Sequence, residues 1–509
     1  MSGRGLGVAT LIAAALAVAG CAPGPRRGPA VEPPESGPAG PEWPDLDALA
    51  AATDQPAYPD LPGPEWPDLA DALPKDAPPP PPLIVRVGLG TGVARAVVAC
   101  EGPARLLDAD GLRALADLAP GAKVTLQAAG RLVRWQADSR GGEAAGVGLQ
   151  PVDPDDAVTW NRGRWRGALL ALPRGGALTL VNAVGLEDYL RGVVPGEIGR
   201  LGPEGAAALE AQAIAARTYT VAHRGQHAAQ GFDVWSDVRD QLYEGIRGEH
   251  ARCDEAIART AGLVLQYGGR EIEAYYSSTC GGRTAGCEQV WSQPARPYLT
   301  GRRDAPRDGA RSFCASAPRF AWQESWSGAE LERILQRTLP QYVDWAREPR
   351  RARWAGEPFT PRGGGGDLRR PGRLLGCEVR GRTACGRVAL LDVATEAGVY
   401  HVRGDRARSV LLRRDGGLLW SALFRLAIEP GQDGRPLRVA ARGRGYGHGV
   451  GLCQTGAIAM ARRGFSAGQI LAHYYAGATL AAYDLSRPPA AATEDADAPG
   501  SAAPAARAP

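Results

Sequence analysis

Several signatures of common chemistry are missing from this sequence. It has no Cys-x-x-Cys pair and no cysteine and histidine at finger-like spacing, which argues against a zinc site of that kind. His223 and His227 stand i, i+4, as the two histidines of a helical zinc site do, but the glutamate of His-Glu-x-x-His is absent, so no metal is expected. A Walker lysine is lacking, and no G-x-G-x-x-G opens a β-α-β unit with a downstream acid. No nucleotide cofactor, and indeed no cofactor at all, is therefore expected, and no nucleic-acid partner. The apolar run from Leu6 to Gly20 is far shorter than a confident membrane span. From Ala22 to Pro82 the chain is dominated by Pro, Ala, Asp and Glu with few β-branched residues, so it cannot bury enough apolar surface to offset the entropy of ordering. That stretch reads as a disordered tether.

What is present begins with an address. Arg4 precedes the apolar run, which ends in Val18-Ala19-Gly20-Cys21. This resembles a bacterial lipobox, so residues 1–20 are expected to be a signal peptide and Cys21 the lipidated first residue of an exported chain. Alanine rather than aspartate follows Cys21, which favours the periplasmic face of the outer membrane over the inner. Within the 21–82 tether, Gly-Pro-Glu-Trp-Pro-Asp-Leu occurs at Gly40 and again at Gly63, 23 residues on. Two such copies are either docking motifs or a harmless duplication. Residues 28–80 carry a net charge of −10, which leaves +14 for the remainder of a chain whose total is +4. A basic exported domain suits an anionic polymer such as cell-wall glycan, although an Arg-rich composition alone would give the same sign. The tail 486–509 is again Pro/Ala-rich and expected to be disordered.

The folded part, 83–485, reads as α+β. Short strands between Gly, Pro and Asp turns fill 83–184, a first β lobe. A core, 185–300, follows, then a short helix from Gly328 to Thr338 with a long insertion loop to 373, and a second β lobe over 374–485, including Ser409–Arg413 as a strand. Gly268-Gly269 is placed to turn a hairpin between Gly262–Tyr267 and Arg270–Ser277. Two helices close the domain, with Gly464 ending one and Ser466 capping the other. Eight cysteines besides Cys21 argue for up to four disulfides in an oxidising compartment, with Cys280–Cys287 and Cys377–Cys385 as local candidates.

The core carries the informative residues. Leu186, Tyr189, Leu190, Val193 and Val194 form the stripe of an amphipathic helix that Pro195-Gly196 should stop, and a second helix is set up from Pro203 to Arg224. Glu197 falls in the break between them, where a carboxylate is both fixed and reachable. Three more stretches stand out. Tyr275 to Thr284 ends a strand in hydroxyl residues and a Gly281-Gly282 pair; Asp237 to Tyr243 mixes hydrogen-bonders with aromatics; Gly443 to Ala457 alternates glycine with Tyr446 and His448.

Taken together, Leu186–Ile198, the Ala211–Tyr219 helix, Asp240–Gly245, Ala274–Thr284 with Val290-Trp291, and Gly443–Leu480 strongly resemble the stage II sporulation protein D / LytB amidase-enhancer family. The resemblance implies a β-rich body around a central helical segment carrying a catalytic glutamate and a glycan-binding groove. It implies a lytic transglycosylase that cuts the muramic acid to glucosamine β-1,4 bond, preferring strands stripped of peptide, or alternatively a non-catalytic activator of a cell-wall amidase. The family's glutamate carries over to Glu197. One carboxylate can serve such a reaction twice, as acid and then as base, and no second acid of similar placement is evident. Its pKa should then be raised by a partly apolar pocket, with Val193, Val194 and Ile198 as candidate walls. Arg217 is a candidate partner for the lactyl carboxylate, with a structural ion pair as the alternative. Ser278, Thr279 and the Gly281-Gly282 backbone are candidates to hold acetamido groups, Tyr276 and Tyr446 to stack on sugars, and His448 and Gln454 to line the groove. Some sporulation members carry His and Cys metal ligands after the catalytic helix. Here that region offers His223, His227 and His250 but only Cys253, so no metal is carried over.

Overall fold

The computed structural model describes residues 83–483 apart from 110, 112, 307–310 and 363–366. Cys21 and the signal peptide, the tether with its repeats and the tail from Ser486 lie outside the described residues.

The first lobe consists of two sheets. One runs Val234–Trp235, Ile84–Val93, Ala177–Gly185, Ala168–Arg174, Val147–Pro151, Ala104–Asp108, Ala114–Leu118; the other runs Gly163–Trp165, Val158–Trp160, Arg95–Cys100, Val124–Ala129, Leu132–Ala137, Arg140–Ala144. Alternation sets their register. In Leu132–Ala137, Val133, Trp135 and Ala137 point inward while the residues between them face solvent. Ala177–Gly185 is instead buried along most of its length, Thr179 and Asn182 included, because both its faces are covered. Leu178 and Leu180 join the main core, and Val181 packs with Phe232 and Trp235 on the other side.

That strand leads directly into helix α1, Leu186–Ile198. The stripe is as expected, with Leu186, Tyr189, Leu190, Val193 and Val194 all buried. The stop is not. α1 continues through Pro195, and Glu197 lies in its last turn rather than in a break. A proline inside a helix costs about 3 kcal/mol, whereas burying a large apolar side chain contributes about 1.5–3 kcal/mol, so the burial of Ile198 beyond Pro195 offsets much of that cost. The same balance corrects the second expected stop. The helix Gly328–Ala346 passes through Pro340 because Leu339, Tyr342 and Val343 continue its buried face, and Pro349–Ala355 follows as a further helix where a long loop was expected.

Helix α2, Ala206–Ala222, is preceded by a 3₁₀ turn at Pro203–Gly205 and ends two residues short of Arg224. It is buried on nearly every side, packed against α1, Ala251–Arg259 and the two C-terminal helices. Its many alanines allow those neighbours to approach closely. The hairpin forms, with Gly268 and Gly269 both in the left-handed region, but its second strand is only Arg270–Glu271. The chain beyond is drawn away because Tyr276–Ser277 pairs in parallel with Leu452–Cys453.

The second lobe has a separate core formed by Gly328–Ala346 against a four-stranded and a three-stranded sheet. Ser409–Arg413 is not a strand. Ala407–Val410 makes one helical turn that buries Val410 and Leu411 in this core. The closing helices are Gln454–Ala461, here α3, and Ala467–Tyr474, whose Ser466 cap completes a reciprocal pair of bonds with Gln469.

The expected disulfides are absent among the described residues: all eight cysteines are free and buried. Cys280 faces Cys314 and Asp304, whereas the Cys287 thiol turns to the Pro294 carbonyl. Cys377 sits in the second core, while Cys385 bonds Thr383 and Arg387.

Candidate active site

α1 delivers Glu197 to a position fixed by two distant segments. Its Oε1 accepts the Leu242 backbone N–H at 2.8 Å, and its Oε2 accepts the Gln454 side-chain amide at 3.4 Å. Burial pushes the Glu197 carboxyl up from 4.5 to about 7, with the Leu242 and Gln454 bonds pulling it partly back. Val193, Val194 and Ile198 are buried in the main core, and the carboxylate is engaged by Leu242 and Gln454, with Tyr276 near enough that its phenol is pushed up by burial and then by the Glu197 charge.

Behind this layer the Asp240-Gln241-Leu242 segment is locked. Asp240 accepts from Tyr219 Oη at 3.0 Å and the Trp235 N–H at 2.7 Å, and meets His227 Nε2 at 3.0 Å. Gln241, fully buried, donates to Tyr276 Oη at 2.7 Å and accepts from Thr220 and Tyr189 hydroxyls. The segment thus aims the Leu242 N–H at Glu197 and fixes the Tyr276 ring beside it. Asp240 has no exposed side-chain surface and is engaged by three groups, so it is not a free second acid. The result is one partly exposed carboxyl group that can be protonated near neutral pH and can also accept a proton. Sequence reasoning had singled out this segment as polar and aromatic, but not the role of Gln241 or of the Leu242 backbone.

The other candidates separate on burial and partners. Arg217 is the clearest correction. Its guanidinium is fully buried, bonds Glu187 through two nitrogens at 2.8 and 2.7 Å, and donates to the Ile257 and Leu263 carbonyls. No donor is left for a ligand. Thr279 is also buried, bonded to Thr455 and bridged to Tyr446, and Ser278 accepts from Thr455 through its carbonyl. Gly281 is not a shelf for a ligand: with φ +79° it packs its α-carbon against the Arg444 backbone, where a Cβ would come within 2.9 Å. Gly282, φ +103°, accepts the Asp304 N–H.

His448 is a packed ring between Trp291 and Tyr275, pushed down to about 4 by burial, and so neutral, with Nδ1 accepting the Val450 N–H. Gln454 is brought to Glu197. Tyr446 stays partly exposed, with Trp420 at 5.3 Å and the Arg319 guanidinium 4.7 Å from its ring, an aromatic and cationic patch in which Trp420 and Arg319 had no signal in the sequence.

The region after α1 does not fit the His and Cys ligand set of some sporulation members. His223 Nδ1 is on the Tyr219 carbonyl, His227 is on Asp240, and Cys253 is buried in the main core. Among the described residues one group of His, Cys, Asp or Glu side chains converges closely enough to share an ion, and it lies elsewhere: Cys280, Asp304, Cys314 and Cys453.

Residues 174–267, which hold α1, α2 and the Asp240–Leu242 segment, match the family model for SpoIID, Stage II sporulation protein. Over this segment the chain is similar to the stage II sporulation protein D / LytB amidase-enhancer family. Among individual proteins, it is 27% identical over 333 residues to an uncharacterized protein of Brachyspira hyodysenteriae, a match spanning 65% of this chain and 76% of that one. It is 30% identical over 309 residues to the Amidase enhancer of Bacillus subtilis, spanning 58% of this chain but 40% of the relative, and 26% identical over 320 residues to Stage II sporulation protein D of the same organism, spanning 60% and 76%.

Proposed function

We propose that this chain is a peptidoglycan lytic transglycosylase that uses Glu197 alone as acid and base. The observation that carries the reading is a carboxyl group raised to about 7 in a half-buried site, with Asp240, the acid of the segment that holds it, already engaged by three groups. Glycosidases that use water or a covalent intermediate depend on two flanking carboxyl groups. Here Glu197 protonates the glycosidic oxygen as the bond from the muramic acid C1 breaks. The carboxylate then takes the proton from that sugar's C6 hydroxyl, whose oxygen closes on C1 to give the 1,6-anhydro ring. No water is consumed. The partly exposed Tyr446–Trp420–Arg319 patch is the candidate surface for sugar rings and their carboxylates.

The test is digestion of peptide-free glycan strands followed by mass spectrometry for anhydro ends. Their absence, with strand binding intact, would leave the second reading, a glycan-binding activator of a cell-wall amidase. That reading is supported by the relative named Amidase enhancer.

Glu197 must be protonated to start the reaction, so kcat/KM should fall as pH rises through about 7. A rate that stays flat to pH about 9 would be incompatible with Glu197 as the acid. We further propose that the chain works in the periplasm, anchored to the outer membrane through lipidated Cys21. Cys21→Ser should move it from the membrane to the soluble fraction, and unchanged membrane recovery would exclude that anchor.

A further inference from the structure

We propose that Cys280, Cys314, Cys453 and Asp304 form a structural zinc site that holds the floor of the active site. The inference is independent of the reaction proposed above. The four groups come from separate parts of the chain: a loop after Thr279, a loop after Arg303, the turn Phe313–Ser316, and the N-cap of α3. All four side chains are buried, and their ligand atoms lie within 4.8 Å of one another.

The spacing suits one ion. A tetrahedron with Zn–S bonds of about 2.3 Å has edges of about 3.8 Å. The Cys280 and Cys314 sulfurs are 3.6 Å apart, and Cys280 Sγ is 3.1 Å from Asp304 Oδ2. An iron–sulfur cluster would need its cysteines more widely spread, because its own metal and sulfide atoms must fit between them. Three thiols and one carboxylate make a soft, closed donor set of the type that selects zinc, and four protein ligands leave no open position for catalysis.

The surrounding bonds divide the carboxylate in two. Asp304 Oδ1 meets His473 Nε2 at 3.2 Å and accepts from Tyr474 Oη at 2.9 Å, which leaves Oδ2 facing the thiols. Such outer partners orient a metal-binding carboxylate. The Cys280 N–H points at Cys453 Sγ, 3.2 Å away, as backbone donors do toward thiolates that carry charge. Sequence spacing conceals the set, since Cys280 is 34 residues from Cys314 and 173 from Cys453. The consequence reaches the active site through one peptide bond: Cys453 is followed by Gln454, which donates to Glu197.

The experiment begins with the full chain purified without added metal, its zinc measured by mass spectrometry of the elements. About one zinc per chain is expected, and exchange for cobalt should give thiolate-to-metal charge transfer with tetrahedral visible bands. Cys314→Ser and Asp304→Asn should each reduce retained zinc at least about tenfold after dialysis. If either variant fails to fold, the cobalt spectrum of the unmodified chain decides the matter. A metal-free chain whose three thiols can all be alkylated, or a Cys280–Cys314 disulfide in non-reduced peptides, would overturn the proposal.

Discussion

Glu197→Gln is expected to lower the formation of 1,6-anhydro ends by about 10²- to 10⁴-fold, leave strand binding in place, and at the same time make the fold more stable above neutral pH. The two effects have one cause. In the folded chain the group titrates near 7 rather than 4.5, so the folded state favours the protonated carboxyl. That advantage is fully present below the unfolded value and is lost as pH rises to about 7, where an ionised carboxylate must be held in a half-buried site. Glutamine keeps the shape and never ionises. The variant should therefore match the unmodified chain near pH about 4 and exceed it by up to about 3 kcal/mol above pH about 7. Denaturant unfolding at both pH values, read beside the product assay, checks the pair. Retained turnover would remove Glu197 from the mechanism, and an unchanged stability at high pH would mean that the site is wetter than its geometry indicates.

Arg217→Ala should be strongly destabilising, by about 3 kcal/mol. It removes a buried cation that bonds Glu187 through two nitrogens and also satisfies two backbone carbonyls. The Glu187 side chain retains 35% of its exposure and can regain water, which keeps the cost near the low end for a broken buried pair. Joint replacement of Arg217 by Met and Glu187 by Leu should recover much of the loss, since neither charge then remains unpaired. Chemical denaturation gives both numbers. An Arg217→Ala chain that folds normally but binds glycan poorly would restore the role that the sequence first suggested for this arginine.

That reversal shows where sequence pattern is informative. Local rules read well: the α1 stripe, the Gly268-Gly269 turn, the Ser466 cap and the short strands of the first lobe all depend on neighbours in the chain. Pro195 and Pro340 misled because the cost of a proline is local, while the burial that offsets it depends on partners the sequence does not display. Arg217 misled for a related reason, since nothing in its surroundings in the chain announces Glu187, 30 residues before it. The cysteines were read by proximity in sequence, and the structure groups them by proximity in space. Glu197 was found through its motif, but its raised pKa comes from burial in the folded chain, partly offset by bonds from Leu242 and Gln454, which lie 45 and 257 residues beyond it.

The parallel pairing of Tyr276–Ser277 with Leu452–Cys453 has a consequence in time as well as in space. Parallel neighbours cannot be joined by a short turn, and this pair must wait until the entire second lobe has been made and has left its path. A chain still being synthesised, or cut anywhere within that lobe, presents Glu197 without the amide that completes its setting. The setting of Glu197 is thus complete only once Gln454, the first residue of α3, has been put in place.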